Sequence, residues 1–377
     1  MEFAAELNSW RITVSGAGRE NGAVRIHNAD ARGFASDNNA GAHPEIIAAI
    51  DAANGGHQLA YGGDEYTERL QHVFREHFGG ETETYPVLNG TGANVTALTS
   101  VLPRWGAVIV ARSAHIHTDE GGAPERISGL KLLPVDTPDG KLTPELIDRE
   151  AWGWGNEHRA QPLAVSITQS TERGTVYSAQ EVRAIADHAH ERGMVVHLDG
   201  ARIANAAAAL GHPLRSFTTD AGVDILSFGG TKNGLLYGEA IVVLQPGVSA
   251  GMPFLRKSTM QLASKMRFVS AQLIALMTDG LWLRSAWHAN ELAAHLRRSL
   301  ESAIVAGRIA GLEFTQVTQA NAVFATLPPG VADRLRERFH FYDWDPARSE
   351  VRWMTSFDTT ESDVDGLVAA IVTELGE

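Results

Sequence analysis

The sequence has no cysteine among its 377 residues, which removes disulfides, thiolate nucleophiles and cysteine-ligated metals together and agrees with a reducing, cytoplasmic compartment. It also lacks any run of about 18 apolar residues, the length that a membrane-spanning helix needs. Even 201–210 is short and alanine-rich. Positive charge is in deficit: 32 Lys and Arg against 45 Asp and Glu leave a net charge of −13, so nucleic acid and anionic membrane would be repelled over most of the surface. Internal repeats and low-complexity tracts are missing, and so are HExxH, the P-loop and the dinucleotide fingerprint. Small-molecule chemistry remains.

Glu2, Glu6 and Arg11 interrupt the first apolar stretch, so residues 1–33 do not read as a secretory signal. They read as an N-terminal extension, weakly ordered or introduced in cloning. The remainder, in a chain with 44% hydrophobic and 20% charged residues, can bury a globular core. Beyond residue 40, helical periodicity alternates with short β-branched runs, the pattern of an α/β fold with a mostly parallel sheet. Strands are expected at 108–110, 163–168, 194–198, 225–228 and 240–244, apolar on both faces as in a buried parallel sheet. Pro44 opens one helix, and Ser178 with Glu181 forms a capping box for another. After residue 279 the pattern turns to long helices and short strands. A large domain over 34–278 and a smaller α+β domain over 279–377 are expected.

Two expected strands run into chemistry. One ends in Asp199-Gly-Ala-Arg202 and the other in Gly229-Gly-Thr231-Lys232-Asn-Gly234, at the strand ends where open α/β sheets bind ligands. Pyridoxal phosphate needs a lysine, a carboxylate for its ring nitrogen, an anion cradle and a flat partner for its ring. Lys232 lies in a glycine-rich turn whose small neighbours would let a cofactor approach, although a solvated surface lysine is the simpler reading of that residue alone. Asp199 follows an apolar strand and so implies a cationic partner, either a pyridinium nitrogen or Arg202. Asn89-Gly90-Thr91-Gly92-Ala93-Asn94 precedes a helical segment and can offer amides to a phosphate. His115 sits near His117 in a polar turn, open to a solvated or ring-stacking role. Arg352 could grip a carboxylate bidentately or pair with Glu350.

The blocks Phe34-Ala-Ser36-Asp-Asn38, Ala60-Tyr61-Gly-Gly-Asp64, Gly90-Thr-Gly-Ala-Asn94, Ala114-His115 through Asp119-Glu120-Gly-Gly122, Asp199-Gly-Ala-Arg202, Gly229-Gly-Thr-Lys232 and Val351-Arg352 resemble those of L-threonine aldolases, in the same order. Ser166-Ile-Thr-Gln169 and Ser264-Lys-Met-Arg267 look most similar to the low-specificity bacterial branch. This resemblance implies a fold-type I pyridoxal 5′-phosphate enzyme that cleaves L-threonine, L-allo-threonine or phenylserine to glycine and an aldehyde. It also implies a homotetramer of dimers with active sites at the dimer interface. Lys232 would carry the Schiff base, Asp199 would meet the ring nitrogen and His115 would stack on the ring. Gly90, Thr91, Gly92 and Thr231 would border the phosphate, while Ser36, Arg202 and Arg352 would hold the substrate carboxylate. Tyr61, Lys257 and Arg267 would be lent by a neighbouring subunit. His158 falls where the family has a second functional histidine, against an exposed loop residue as the simpler reading. A β-eliminating lyase, an aminotransferase or a non-catalytic member of the fold stands as the alternative.

Overall fold

The computed structural model describes residues 19–20 and 23–376, so the expectation for 1–33 lies largely outside the described residues. A seven-stranded sheet organises the first part of the chain: β1 (Glu83–Val87), β2 (Gly106–Ala111), β3 (Lys131–Val135), β4 (Gln161–Thr168), β5 (Val195–Gly200), β6 (Ile225–Gly229) and β7 (Glu239–Val243). Their spatial order is β1-β7-β6-β5-β4-β2-β3. The central strands β2, β4, β5 and β6 are runs of buried residues, as expected for a sheet covered on both faces.

Three features of the sheet depart from the sequence expectation, and each has a local cause. Strand β7 runs antiparallel to both of its neighbours, because the connection 230–238 is too short for a crossover back to a parallel start. The other two are β1 and β3, which the periodicity did not mark. Each contains a proline, Pro86 and Pro134, and each lies at an edge of the sheet, where a missing ladder donor is tolerated.

A second, antiparallel sheet follows, formed by β8 (Glu313–Phe314), β9 (Ala322–Thr326), β10 (Tyr342–Asp345) and β11 (Glu350–Met354). Trp353, Phe341, Val323 and Leu367 fill its core. Phe34 also packs there, because its amide donates to His340 O at 2.7 Å and its carbonyl accepts from Met354 N at 2.8 Å. The helix Leu281–Val305 joins the two cores. Its first turns bury Leu281, Trp282 and Ala286 against the large sheet, and its later turns bury Leu292, Leu296 and Leu300 in the second core. Local capping follows the sequence signals: Ser178 and Glu181 form a complete capping box, as do Thr360 and Asp363. Among the described residues no helix is long and apolar enough to cross a membrane.

Candidate active site

The carboxyl ends of the parallel strands converge on one cavity of about 270 Å³, whose lining includes Gly90, Thr91, Asn94, His115, Asp199 and Lys232. The chain leaves β2 into the short helix His115–Thr118, leaves β5 at Gly200, and leaves β6 into the single 3-10 turn Thr231–Asn233. Residues far apart in sequence meet here because parallel strands all present the same end.

Asp199 is 4% exposed, and its partners are dipoles: Ala201 N donates to Oδ1 at 3.0 Å and Asn94 Nδ2 to Oδ2 at 2.9 Å. Arg202 does not pair with it. That guanidinium forms a two-pronged bridge to Asp37 instead, Nε to Oδ2 at 2.6 Å and Nη2 to Oδ1 at 2.8 Å. Burial pulls the Asp37 carboxyl upward, but Arg202 outweighs it and holds the group below the usual carboxylate range. Among the described residues no cation is bonded to the buried Asp199 carboxyl, which leaves it open to a cationic ligand.

The Lys232 amine has no side-chain hydrogen-bond partner among the described residues; it is surrounded by the charges of Arg202, Asp37, Asp199 and Glu239. Burial, and then the charge of Arg202, push its pKa below that of an ordinary lysine, which raises the fraction of neutral, nucleophilic amine. Two of the glycines near it are also tightly packed: a Cβ on Gly229, which lines the cavity, would stand 2.3 Å from Ala201 O, and one on Gly230 would stand 2.4 Å from the Leu235 side chain. Gly92 is required for a similar reason, since a Cβ there would lie 2.1 Å from the Gln261 side chain. The helix Gly90–Val101 starts at the loop itself, with Asn89 as its N-cap accepting from Gly92 N at 2.8 Å. Gly90 N and Thr91 N are left without an acceptor among the described residues, directed outward from a helix start as an anion cradle requires.

His115 is held on two sides. Its amide donates to Glu172 Oε1 at 2.8 Å, and its ring Nδ1 lies 2.9 Å from Glu120 Oε1. The bond to Glu120 raises the imidazole pKa against the effect of burial. Asn94 Nδ2 also donates to Glu120 Oε1 at 2.9 Å, so one amide ties the His115 carboxylate partner to Asp199. Burial, then Asp199, raise the pKa of Glu172. The sequence reading gave Asn94, Glu120, Glu172 and Asp37 no role. Asn94 is one of several polar residues in the helix Gly90–Val101, with Thr96 and Ser100 also buried, so its sequence position carried no signal of its own; nor did the carboxylates.

Arg352 lies beside the Arg202–Asp37 pair. Its Nη2 donates to Ala35 O at 3.2 Å, its Nε is buried without a partner, and its guanidinium sits 4.9 Å from the Trp344 ring centre. Burial, and then Arg202, push its pKa down to about 10. Glu350 is not its partner, since that carboxylate takes the Thr315 hydroxyl and faces Arg348. Ser36 caps the turn Asp37–Asn39, next to the same pair. Thr231 accepts from Gly238 N at 3.1 Å through its hydroxyl. Tyr61, Lys257 and Arg267 do not line the cavity. Lys257 Nζ stands 4.7 Å over the Tyr61 ring, Tyr61 is 52% exposed, and Arg267 Nη1 donates to Gly56 O at 3.3 Å. His158 is not brought to the site either; its side chain is 86% exposed on a loop.

The family model of the beta-eliminating lyases matches residues 33–326. The chain belongs to that family. Within it, a low specificity L-threonine aldolase from Pseudomonas sp. strain NCIMB 10558 is 42% identical over 340 residues, 90% of this chain and 96% of the relative. A second, from Pseudomonas aeruginosa, is 41% identical over 86% of this chain and 93% of the relative. Among solved structures, a threonine aldolase from Leishmania major superposes with a TM-score of 0.84 at 28% identity, covering 90% of this chain and 98% of that one. The beta-eliminating lyase fold seen here is thus that of the fold-type I pyridoxal-phosphate enzymes, and pyridoxal 5′-phosphate is the cofactor. The cavity fits that group: a buried carboxylate without a cation, an amine of lowered basicity and two free helix-start amides are the complements of a pyridinium, an aldehyde and a phosphate.

Proposed function

We propose that this lyase cleaves L-threonine, L-allo-threonine and other β-hydroxy-α-amino acids such as phenylserine to glycine and an aldehyde. The observation that carries the proposal is Arg352, a half-buried guanidinium with a buried, unpartnered Nε beside Arg202, whose charge is also felt by Lys232. Desolvated positive charge of this kind calls for an anion, and the planar fork of arginine matches a carboxylate.

The cofactor, when bound, supplies the electron sink for breaking a bond to Cα. The chain's own residues do the rest. Lys232 offers a neutral amine for covalent attachment of the cofactor. Asp199, held by Asn94 and the Ala201 amide, retains the proton on the ring nitrogen. Ser36, Arg202 and Arg352 orient the carboxylate and so select which Cα bond is aligned to break. Asp37 fixes the plane of the Arg202 guanidinium. Glu120 orients the His115 ring and raises its basicity, so the neutral imidazole, or a water it holds, can take the substrate hydroxyl proton. His158 has no such reach within its own chain. Tyr61, Lys257 and Arg267 would complete a neighbouring subunit's site in a cytoplasmic homotetramer, consistent with their position outside this cavity.

Purified enzyme loaded with cofactor and supplied with L-threonine, L-allo-threonine and phenylserine tests the proposal. Glycine and one equivalent of aldehyde are expected from each. A keto acid with ammonia, or transfer of the amino group, would instead place the chain with the eliminating lyases or the aminotransferases.

A further inference from the structure

Glu239 has no part in the reading above, yet it lines the same cavity. It is the first residue of β7, and the strand register sets it opposite Val87 at the end of β1 and Gly229 at the end of β6. It therefore stands between the two turns that leave those strands, the helix start at residues 88–91 and the lysine turn at 230–232. Its Oε2 accepts the Gly230 amide at 2.6 Å, and Thr231 faces the same carboxyl through amide and hydroxyl.

The charged group that meets Glu239 from the lysine turn is Lys232. From the other side it meets none, because the first turn of the helix Gly90–Val101 carries no acidic or basic residue. On β1 the nearest ionisable side chain is Tyr85, whose hydroxyl is bound to Glu83 at 2.6 Å. Across β6, Asp199 adds a second negative charge to the cavity wall. Burial pushes the Glu239 carboxyl up to about 7, so both its protonation states are accessible near neutral pH. Two anions buried in contact repel strongly, whereas a neutral carboxyl can donate a hydrogen bond to the other anion.

We propose that Glu239 is a proton-linked partner of the cofactor phosphate: seating the phosphate on the free amides of residues 90 and 91 draws one proton onto this carboxyl. The inference rests on placing the phosphate at that helix start. Its consequence is directional. Cofactor retention weakens as pH rises, because more protons must be taken up from a scarcer supply, and pyridoxal, which lacks the phosphate, escapes the effect.

Apo-enzyme titrated with pyridoxal phosphate and with pyridoxal, from about pH 6 to pH 9, separates these ideas when wild type is set beside Glu239→Gln, which keeps the Gly230 acceptor. For pyridoxal phosphate the two proteins should bind alike at about pH 6, and wild type about tenfold more weakly at about pH 8. For pyridoxal the curves should stay parallel. Should Glu239→Gln not fold, calorimetry of wild type in two buffers of different ionisation enthalpy reads the same proton directly. At about pH 8, about one more proton should then be taken up with pyridoxal phosphate than with pyridoxal. Parallel pH curves for pyridoxal phosphate, or equal proton uptake for both ligands, overturns the role of Glu239 alone. Equal affinity for pyridoxal phosphate and pyridoxal overturns the phosphate site itself.

Discussion

The two arginines at the site come from different parts of the molecule and are held in different ways. Arg202, at the end of β5 in the large sheet, is neutralised by a two-pronged bridge to Asp37, which is further fixed by Asn321 Nδ2 at 3.1 Å. Arg352, on β11 of the small sheet, has a carbonyl and an aromatic face but no carboxylate. The large sheet thus brings a charge that is already balanced, while the small sheet brings one to which, on the proposed reading, a substrate carboxylate would bind. Satisfied charge builds a rigid floor; unsatisfied charge supplies affinity for what arrives.

The widest break in this comparison is Lys232→Ala on the large-sheet side. It should lose the visible absorbance band of the attached cofactor and lower turnover by at least about 10⁴-fold, with stability little changed. Retained colour and turnover would remove Lys232 from the mechanism.

The arginine pair gives the sharpest contrast. Arg202→Ala strands a buried carboxylate at Asp37 and should cost about 3–5 kcal/mol in chemical denaturation. Arg352→Ala removes a partly desolvated charge that has no carboxylate bonded to it, so the fold should hold or gain slightly while KM for L-threonine rises about a hundredfold. Equal stability losses would end the distinction.

A smaller effect belongs to His197 inside the large sheet. Its ring bridges Ser166 Oγ at 2.8 Å and Ser227 Oγ at 3.0 Å, and burial pushes its pKa down to about 4. The unfolded chain binds this proton from its ordinary pKa of 6.5 downward. Stability is therefore intact above that value and falls as pH drops toward 4. The loss reaches about 3 kcal/mol, from a shift of roughly 2.5 units. His197→Asn should flatten that limb of a stability-against-pH curve; an unchanged slope would assign it elsewhere. At the bottom of the scale, His158→Ala should leave kcat and KM within about twofold, as for an exposed loop residue away from the reacting atoms. A large fall in kcat would bring that loop into the site of a neighbouring subunit.

Much of the site was legible because its signals are local. A buried strand followed by a polar turn marked Asp199 and Lys232, and an Asn-Gly-Thr-Gly run marked the helix start at residue 90. The partners of those residues were not legible. Asp37 and Arg202 are 165 positions apart, and Asn94 and Asp199 are 105 apart; a charge in a linear string does not announce which distant charge it will face. The glycines around Lys232 show the same limit from the other side, as their spacing pointed to cofactor access but not to their close packing on Ala201 and Leu235.

By itself the sequence determined the α/β class, the central strands, the helix caps and the residue types on which a pyridoxal-phosphate site depends, because hydrophobic period and capping chemistry act over a few residues. Only the tertiary structure decided that β7 runs antiparallel, that Arg202 belongs to Asp37, that Arg352 is left without a bonded carboxylate and that Glu239 stands between the helix start at residue 90 and the turn of Lys232. Each of these follows from which strand ends are brought together, and electrostatic balance in a buried site is set by that three-dimensional neighbourhood rather than by position along the chain.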